Sequence, residues 1–374
     1  MKDTFAIVYA DHGSPLLGDL IAHRCVSALP LAGRFRAIDV LLSNLSQSGV
    51  RDVGVIMQRN FQSLVEHIGS GDAWDLSSKN GGVALLTPFD QGLGTDLYQD
   101  FNDAMFTKRY YVNRQRAKYC LLLASDLVYR EDYNRMLDRH IETGADITLL
   151  YSRELRIRPG DPTHLATLDI SAEGWVRGAG FEPAPYEGGC YNLGACLMDK
   201  DLMLRLIEDA CAEGRYNFVK DVIEPAIGEY KVAALEHTGY SRRLTTAKSY
   251  FDMSNEMLDP AIREELFVKR GPVYTRVMDA PPVRFVRGCY VENSVFGNGC
   301  VVEGRVVGST VFRGVRIGNG ADIENCIIMQ DSCIGEGAHL RNAIIDKEVT
   351  VMPGARLVGT PDTMAVVRKG LIVE

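Results

Sequence analysis

Residues Phe296 to Val307 read F-G-N-G-C-V-V-E-G-R-V-V. Ile317 to Ile328, 21 residues on, read I-G-N-G-A-D-I-E-N-C-I-I, and after a further 17 residues Ile334 to Ile345 read I-G-E-G-A-H-L-R-N-A-I-I. A glycine corner followed by aliphatics thus returns three times at a period of about 18 residues. A unit this short cannot bury its own apolar side, so the copies must stack on one another. The period matches a left-handed parallel β-helix, three hexapeptides to a coil with one inward aliphatic in each. Val301 and Ile334 are examples of the inward set, with Gly297, Gly318 and Gly335 turning the corners. An antiparallel hairpin sheet with chance similarity is the competing reading.

Outward from the repeat the texture changes. Pro260, Pro272, Pro281 and Pro282 interrupt a stretch without periodicity, the mark of a junction. The reading is an α/β domain over residues 1–258, a linker over 259–287 and the β-helix over 288–374. In the first domain Phe5 to Tyr9, Val53 to Ile56, Val83 to Leu86, Tyr119 to Ala124 and Ile147 to Tyr151 are short apolar runs. Strands apolar along their length are covered on both faces, as in a parallel sheet. Between them Ile38 to Ser46, Phe61 to Ile68, Tyr98 to Tyr111 and Asp132 to Thr143 carry helical spacing, and Gly144 supplies a stop. Alternation of this kind predicts a doubly wound α/β sheet. Ligands bind such sheets beyond the carboxyl ends of the strands, which places Ala10 to Gly18 and Ser125 to Tyr129 near any site.

Composition narrows the function classes. The 374 residues include 41 Lys and Arg against 49 Asp and Glu, a formal charge of −8. An acidic chain attracts neither phosphate backbones nor anionic lipids, so nucleic-acid and membrane-surface partners are not expected. Hydrophobic residues at 46% and charged residues at 24% describe a globular protein with a sizeable core. No apolar run is long enough to span a bilayer, and the acid at Asp3 argues against a secretory signal. The nine cysteines are odd in number, form no C-x-x-C pair and sit mostly in apolar runs. They read as buried thiols in a reducing compartment, and the expected location is cytoplasmic.

An α/β domain ahead of a short β-helix is the plan of sugar-nucleotide pyrophosphorylases. Gly33 to Asp39 (G-R-F-R-A-I-D), continuing to Leu42-Ser43-Asn44 and Ser48-Gly49-Val50, resembles the bacterial glucose-1-phosphate adenylyltransferase stretch G-K-Y-R-I-I-D-F-P-L-S-N…N-S-G-I. Gly94-Thr95 with Tyr98-Gln99 resembles G-T-A-D-A-V-Y-Q. Leu123 to Tyr129 with Asp132-Tyr133 resembles L-A-G-D-H-I-Y-K-M-D-Y, and Asn217 to Ile223 resembles D-F-G-K-D-I-I. Pro272 to Thr275 with Pro281-Pro282 resembles W-P-I-Y-T-Y…P-P. The matches run in order along nearly the whole chain. The resemblance implies a nucleotidyltransferase-like, Rossmann-like mixed-sheet α/β domain followed by the left-handed β-helix.

The departures bear on chemistry. In that family the loop after the first strand reads A-G-G-R-G-S-R-L, and a lysine follows in R-A-K-P-A-V-P. Glycines let backbone N–H groups close on phosphates, while the two cations neutralise the pyrophosphate leaving group. Aligned without a gap, this chain has Ala10-Asp11-His12-Gly13-Ser14-Pro15-Leu16-Leu17. Asp11 and His12 replace the glycine pair, Leu16 takes the arginine position and Val26-Ser27 the lysine-proline. Each charge-neutralising donor is worth roughly 3 kcal/mol in such transition states, so the resemblance implies a degenerate catalytic loop. The alternative is that His23 or Arg24 supplies the missing charge. On the sugar-phosphate side, the family's F-E-K-P lysine is missing from Phe181-Glu182-Pro183, and S-M-G-I-Y becomes Tyr191-Asn192-Leu193-Gly194-Ala195. The motif W-R-D-V-G-T becomes Tyr240-Ser241-Arg242-Arg243-Leu244-Thr245, which removes an aspartate.

Asp126 and Asp221 match the carboxylates that bind catalytic Mg²⁺ in relatives; they are either a weak metal site or vestiges, Asp126 capping the turn after its strand. Arg34 and Arg36 match basic residues near the anionic allosteric effector site of relatives, where a guanidinium fork suits phosphate; a surface salt bridge is the plainer reading. His339 is the only histidine of the β-helix and would be the catalytic base of a hexapeptide-repeat acyltransferase, a rival reading that leaves the front domain unexplained. Kept scaffold with an altered loop resembles the GlgD-type regulatory subunit of the family. That resemblance implies a catalytically inactive, regulatory subunit of a heterotetramer, modulating a catalytic subunit that makes ADP-glucose and pyrophosphate from ATP and glucose 1-phosphate with Mg²⁺ for glycogen biosynthesis. It also implies a sugar-phosphate or nucleotide effector. A divergent but active adenylyltransferase is the alternative.

Overall fold

The strand Thr4–Tyr9 is buried at every residue, because it has neighbours on both edges and cover on both faces. It runs parallel to Asp52–Ile56 on one side and to Tyr119–Ala124 on the other. These are the centre of a nine-stranded sheet in the computed structural model, which describes residues 1, 3–10, 13–77, 81–88, 97–157, 166–181 and 188–374. Gly82–Leu86 extends the parallel part outward from Asp52–Ile56. On the other flank Tyr191–Asp199 joins antiparallel to both Tyr119–Ala124 and Ile147–Ser152. The sheet is therefore mixed. All five strands expected from the apolar runs are present, as are the helices Ala37–Gln47, Gln62–Ile68 and Asn134–Thr143. Gly144 ends the last with φ 61°, the left-handed cap that glycine adopts without strain. The expected helix over Tyr98 to Tyr111 is two, Phe101–Thr107 and Arg109–Arg114, separated at Lys108. A small separate sheet pairs Leu127–Tyr129 with Ser241–Arg243, and that strand with Leu155–Arg156.

By packing, the chain divides into two compact units. The first comprises Met1–Gly13, Cys25–Ser27 and Val40–Arg243, and the second Ser14–Arg24, Ala28–Asp39 and Leu244–Glu374. Boundaries at 258 and 288 mark the change in sequence texture. By packing, residues 244–258 go with the second unit: Tyr250 donates to the Pro30 carbonyl (2.7 Å), and Ser254 to Thr310 Oγ1 (3.1 Å).

The C-terminal part of the second unit is a parallel β-helix. Arg305 stacks on Asp322, Asp322 on His339 and His339 on Arg356, a step of 17 residues per coil. On one face the step is 17 from Arg284 to Val301, shortens to 15 from Val301 to Arg316, and lengthens to 22 from Thr350 to Ile372. Val302, Ile317, Ile334 and Val351 line one inner face, and Val306, Ile323 and Leu340 another, all buried. Two sequence expectations are corrected here. The inward residue is Val302, not the half-buried Val301. The 21-residue offset is also not a coil: Phe296 stacks on Val311, whereas Ile317 stacks on Val302. The two corners have similar sequences but lie on different faces of the triangle. Gly318 and Gly335 are required by close stacking rather than by turn freedom. A Cβ on Gly318 would lie 2.8 Å from the Glu336 nitrogen, and one on Gly335 would lie 2.5 Å from the Pro353 nitrogen. Among the described residues no helix is long and apolar enough to cross a membrane.

Candidate functional site

The carboxyl ends of the central strands are held by two buried hydroxyls. Ser125 Oγ donates to the Tyr9 carbonyl (2.8 Å), Ser27 Oγ to the Ala10 carbonyl (2.9 Å), and the two hydroxyls lie 2.6 Å apart. Beside them opens a cavity of about 160 Å³, at the strand ends where an α/β sheet places its ligands. Its walls are apolar, from Tyr9, Phe101, Leu122, Leu149, Cys196 and Phe218. Phe101 packs edge-on against both Tyr9 (5.3 Å) and Phe218 (5.2 Å). Asp100, Asn192, Asn217 and Arg243 supply the polar groups. Gly194 sits on the wall with φ 64°, and a Cβ there would lie 2.6 Å from Ala124 Cβ.

The two expected metal carboxylates have different surroundings. Asp126 follows Tyr119–Ala124 and precedes Leu127–Tyr129, whose antiparallel register sets Leu127 opposite Arg243. That register brings Arg243 Nε to 2.6 Å from Asp126 Oδ2, both side chains being largely buried. Asp126 Oδ1 is buried without a hydrogen-bond partner. Asp221 lies in the helical turn Val219–Ile223, where its Oδ2 accepts the Asn217 N–H (2.8 Å). The same Asn217 donates through Nδ2 to Asp100 Oδ2 (3.2 Å). Asp126 is thus an ion-pair partner rather than a turn cap. Among the described residues no group of three His, Cys, Asp or Glu side chains is arranged to hold a metal. At the other end of the small sheet, His237 Nδ1 lies 2.7 Å from Glu131 Oε2, and Arg135 pairs with Glu131 Oε1.

Of the altered loop, Asp11 and His12 lie outside the described residues, as do Gly94, Thr95, Glu182 and Pro183. Leu16 is exposed in the second unit and Val26 is buried in the first. Arg24 is not available to replace a loop cation. Its guanidinium is buried, with Nη2 2.6 Å from Asp346 Oδ1 and Nη1 donating to the Leu20 carbonyl (3.1 Å). His23 is exposed.

The two arginines read as effector ligands lie in the second unit. Arg34 is exposed, its guanidinium 5.2 Å above the Phe35 ring, which stacks on Phe267. Arg36 is half-buried, and its backbone N–H donates to Asp39 Oδ2 (2.9 Å). A third basic residue, missed in the sequence, joins them. Burial pushes the Lys347 ammonium down to about 8, and the Arg36 and Arg24 charges add to the effect while Asp346 opposes it. Arg24 and Arg36 are therefore near neighbours of Lys347, while Asp346 pairs with Arg24 and accepts the Lys347 N–H (2.7 Å). Three basic residues brought together in this way suit an anion. Nothing in the residue pattern distinguished Lys347 from other lysines; its burial comes from the coil that carries it. His339 faces Asp322 at 3.2 Å on the outer surface of the β-helix, within a ladder of ion pairs that includes Arg305–Asp322 and Arg341–Glu324.

A mixed α/β sheet with its cavity at the strand ends, joined to a hexapeptide β-helix, defines a nucleotidyltransferase-type chain. Comparison with known proteins agrees: the family described as "Nucleotidyl transferase" matches residues 18–157, and "GlmU-like, C-terminal hexapeptide" matches residues 281–365. A glucose-1-phosphate adenylyltransferase of Geobacillus stearothermophilus is 30% identical over 326 residues, 86% of this chain and 84% of the relative. One from Thermomicrobium roseum is 32% identical over 308 residues, 81% and 71% respectively. The "Glycogen biosynthesis protein GlgD" of Bacillus subtilis is 28% identical over 361 residues, 95% and 93%. The chain belongs to the glucose-1-phosphate adenylyltransferase family.

Proposed function

We propose that this chain is a regulatory, catalytically silent subunit of a glucose-1-phosphate adenylyltransferase serving glycogen biosynthesis. Its partner would be a catalytic subunit of the same family, in a hetero-oligomer expected to be a tetramer. The observation that carries this reading is the Arg243–Asp126 ion pair. Phosphoryl transfer needs cations on the phosphates and a metal bridging them. Here one of the two inherited carboxylates already holds a fixed cation, and Arg24 is committed to Asp346. The resemblance puts aliphatic Leu16 and Val26 where relatives place loop cations.

The residues present do not fit a catalytic Mg²⁺. Magnesium demands near-octahedral oxygen ligation from carboxylates free to turn toward it, whereas Asp126 is held by Arg243 and Asp221 by the Asn217 N–H. In the mixed enzyme Mg²⁺ belongs to the catalytic partner. The contribution of this chain is regulatory, through an anionic effector held by Arg34, Arg36 and Lys347. The coverage of the GlgD relative, 95% of this chain, supports the same reading.

The test is assembly and rate together. Sedimentation of the chain with its catalytic relative should yield one hetero-oligomer, whose rate or substrate affinity differs from that of the relative alone. Replacing the loop arginine of that relative should abolish activity of the mixture. A mixture that sediments as separate species with unchanged kinetics rejects the proposal.

A further inference from the structure

We infer that Arg243 is the resident cation of the strand-end pocket, standing in for a divalent ion at Asp126 and closing that carboxylate to metal. This rests on the silent-subunit reading and extends it to the charge balance of the pocket. The pair is fixed by backbone register. Ser241, Arg242 and Arg243 lie opposite Tyr129, Val128 and Leu127, so the last residue of one strand meets the residue just before the other. Arg156 pairs with Arg242 on the far edge, which keeps the Arg243 strand from sliding away.

The surroundings make the pair hard to open. Asp126 is 4% exposed in its side chain and Arg243 13%. Arg243 faces a cavity whose walls are Phe101, Leu122, Leu149 and Phe218. A metal competing for Asp126 Oδ2 would have to displace a guanidinium held at 2.6 Å in that setting. Separating a buried pair by removing one partner is strongly unfavourable, because the other charge stays behind uncompensated. In the family stretch W-R-D-V-G-T an aspartate occurs where this chain has Arg242-Arg243. The substitution therefore replaces an acid by a base in the same short strand, and the base is found on the surviving acid.

The experiment reads metal uptake by the full chain without nucleotide, using Mn²⁺ and the loss of its free-ion electron paramagnetic resonance signal. The wild-type chain should show no Mn²⁺ uptake that Asp126→Asn removes. Arg243→Ala should gain one Mn²⁺ site at least tenfold tighter than any in the wild type, and the added Asp126→Asn should remove it. Thermal midpoints give a second reading that does not depend on recovering a well-behaved Arg243→Ala. That variant should fall far below wild type in chelator, whereas the charge-neutral pair Asp126→Asn with Arg243→Gln should stay close to it. Uptake by the wild type that depends on Asp126 overturns the inference. So does equal loss of midpoint in the single and paired variants, or a folded Arg243→Ala that takes up no Mn²⁺. A chain that binds Mn²⁺ through Asp126 yet makes no ADP-glucose would sink this inference alone. One that binds none and still turns over would sink the silent-subunit proposal instead.

Discussion

Two buried arginine–aspartate pairs, one in each unit, have the same 2.6 Å contact and opposite consequences. In the first unit Arg243 and Asp126 pair directly at the rim of the cavity. In the second, Arg24 and Asp346 pair in the same way, but Arg36 and Lys347 stand beside them, close enough for the two arginines to push the Lys347 ammonium down. A pair by itself leaves a site little appetite for ions; a pair with two more basic residues beside it is open to an anion. The lesson is that the basic residues gathered beside a pair, rather than the pair itself, separate a silenced site from a responsive one.

The comparison breaks most visibly if the pairs respond alike to losing the acid. Asp346→Asn strands Arg24 among two other cations, and should cost about 3–5 kcal/mol of unfolding free energy, toward the top of the range for a broken buried pair. Asp126→Asn removes the carboxylate from Arg243, part of whose side chain lies at the cavity, and should fall nearer the bottom. Urea denaturation of the two variants measures both. Equal losses would mean that Arg36 and Lys347 do not act on the Arg24 pair.

A smaller effect sharpens the same contrast through pH. An ammonium at about 8 in the folded chain and near 10.5 unfolded means that the unfolded state holds more protons between these values. The contribution to stability therefore rises with pH from about 8 to 10.5. A bound phosphate favours the protonated form, so its stabilising effect should be full below pH 8 and fade above it. Lys347→Met should flatten the alkaline slope and reduce the phosphate effect together. Thermal midpoints across pH, with and without inorganic phosphate, check this against the groups that face Lys347, namely Arg24, Arg36, Asp346 and Lys369.

How much of this was legible in the sequence depends on the range of the interaction. The β-helix was legible because its inward aliphatics and stacked glycines recur locally. Its register was not, because the corner at Phe296-Gly297 and the corner at Ile317-Gly318 look alike and only pairing with Val311 or Val302 tells them apart. Asp126 stood out as a strand-end acid. Its meaning lay 117 residues away in Arg243, joined by an antiparallel pairing that no local pattern announces. Lys347 follows the same rule: a lysine next to an aspartate is ordinary until the fold brings Arg24 and Arg36 to it.

The smallest expected effect concerns Arg34. An exposed side chain resting on Phe35 should change unfolding free energy by no more than about 0.5 kcal/mol when replaced by Ala. Arg34→Ala combined with Arg36→Ala should nevertheless weaken the effector response of the mixed enzyme, read as a right-shifted effector titration. An unmoved titration would return both residues to the surface and leave Lys347 without partners in ligand binding.

The silence of the first pocket is tested most directly by ADP-glucose formation from the purified chain alone, given ATP, glucose 1-phosphate and Mg²⁺. With Arg243 on Asp126 and aliphatic side chains at the two loop-cation positions, the rate should not exceed the background without protein. Robust turnover that Asp126→Asn abolishes would contradict a silenced site, and the exposed His23 would then be the residue to replace first.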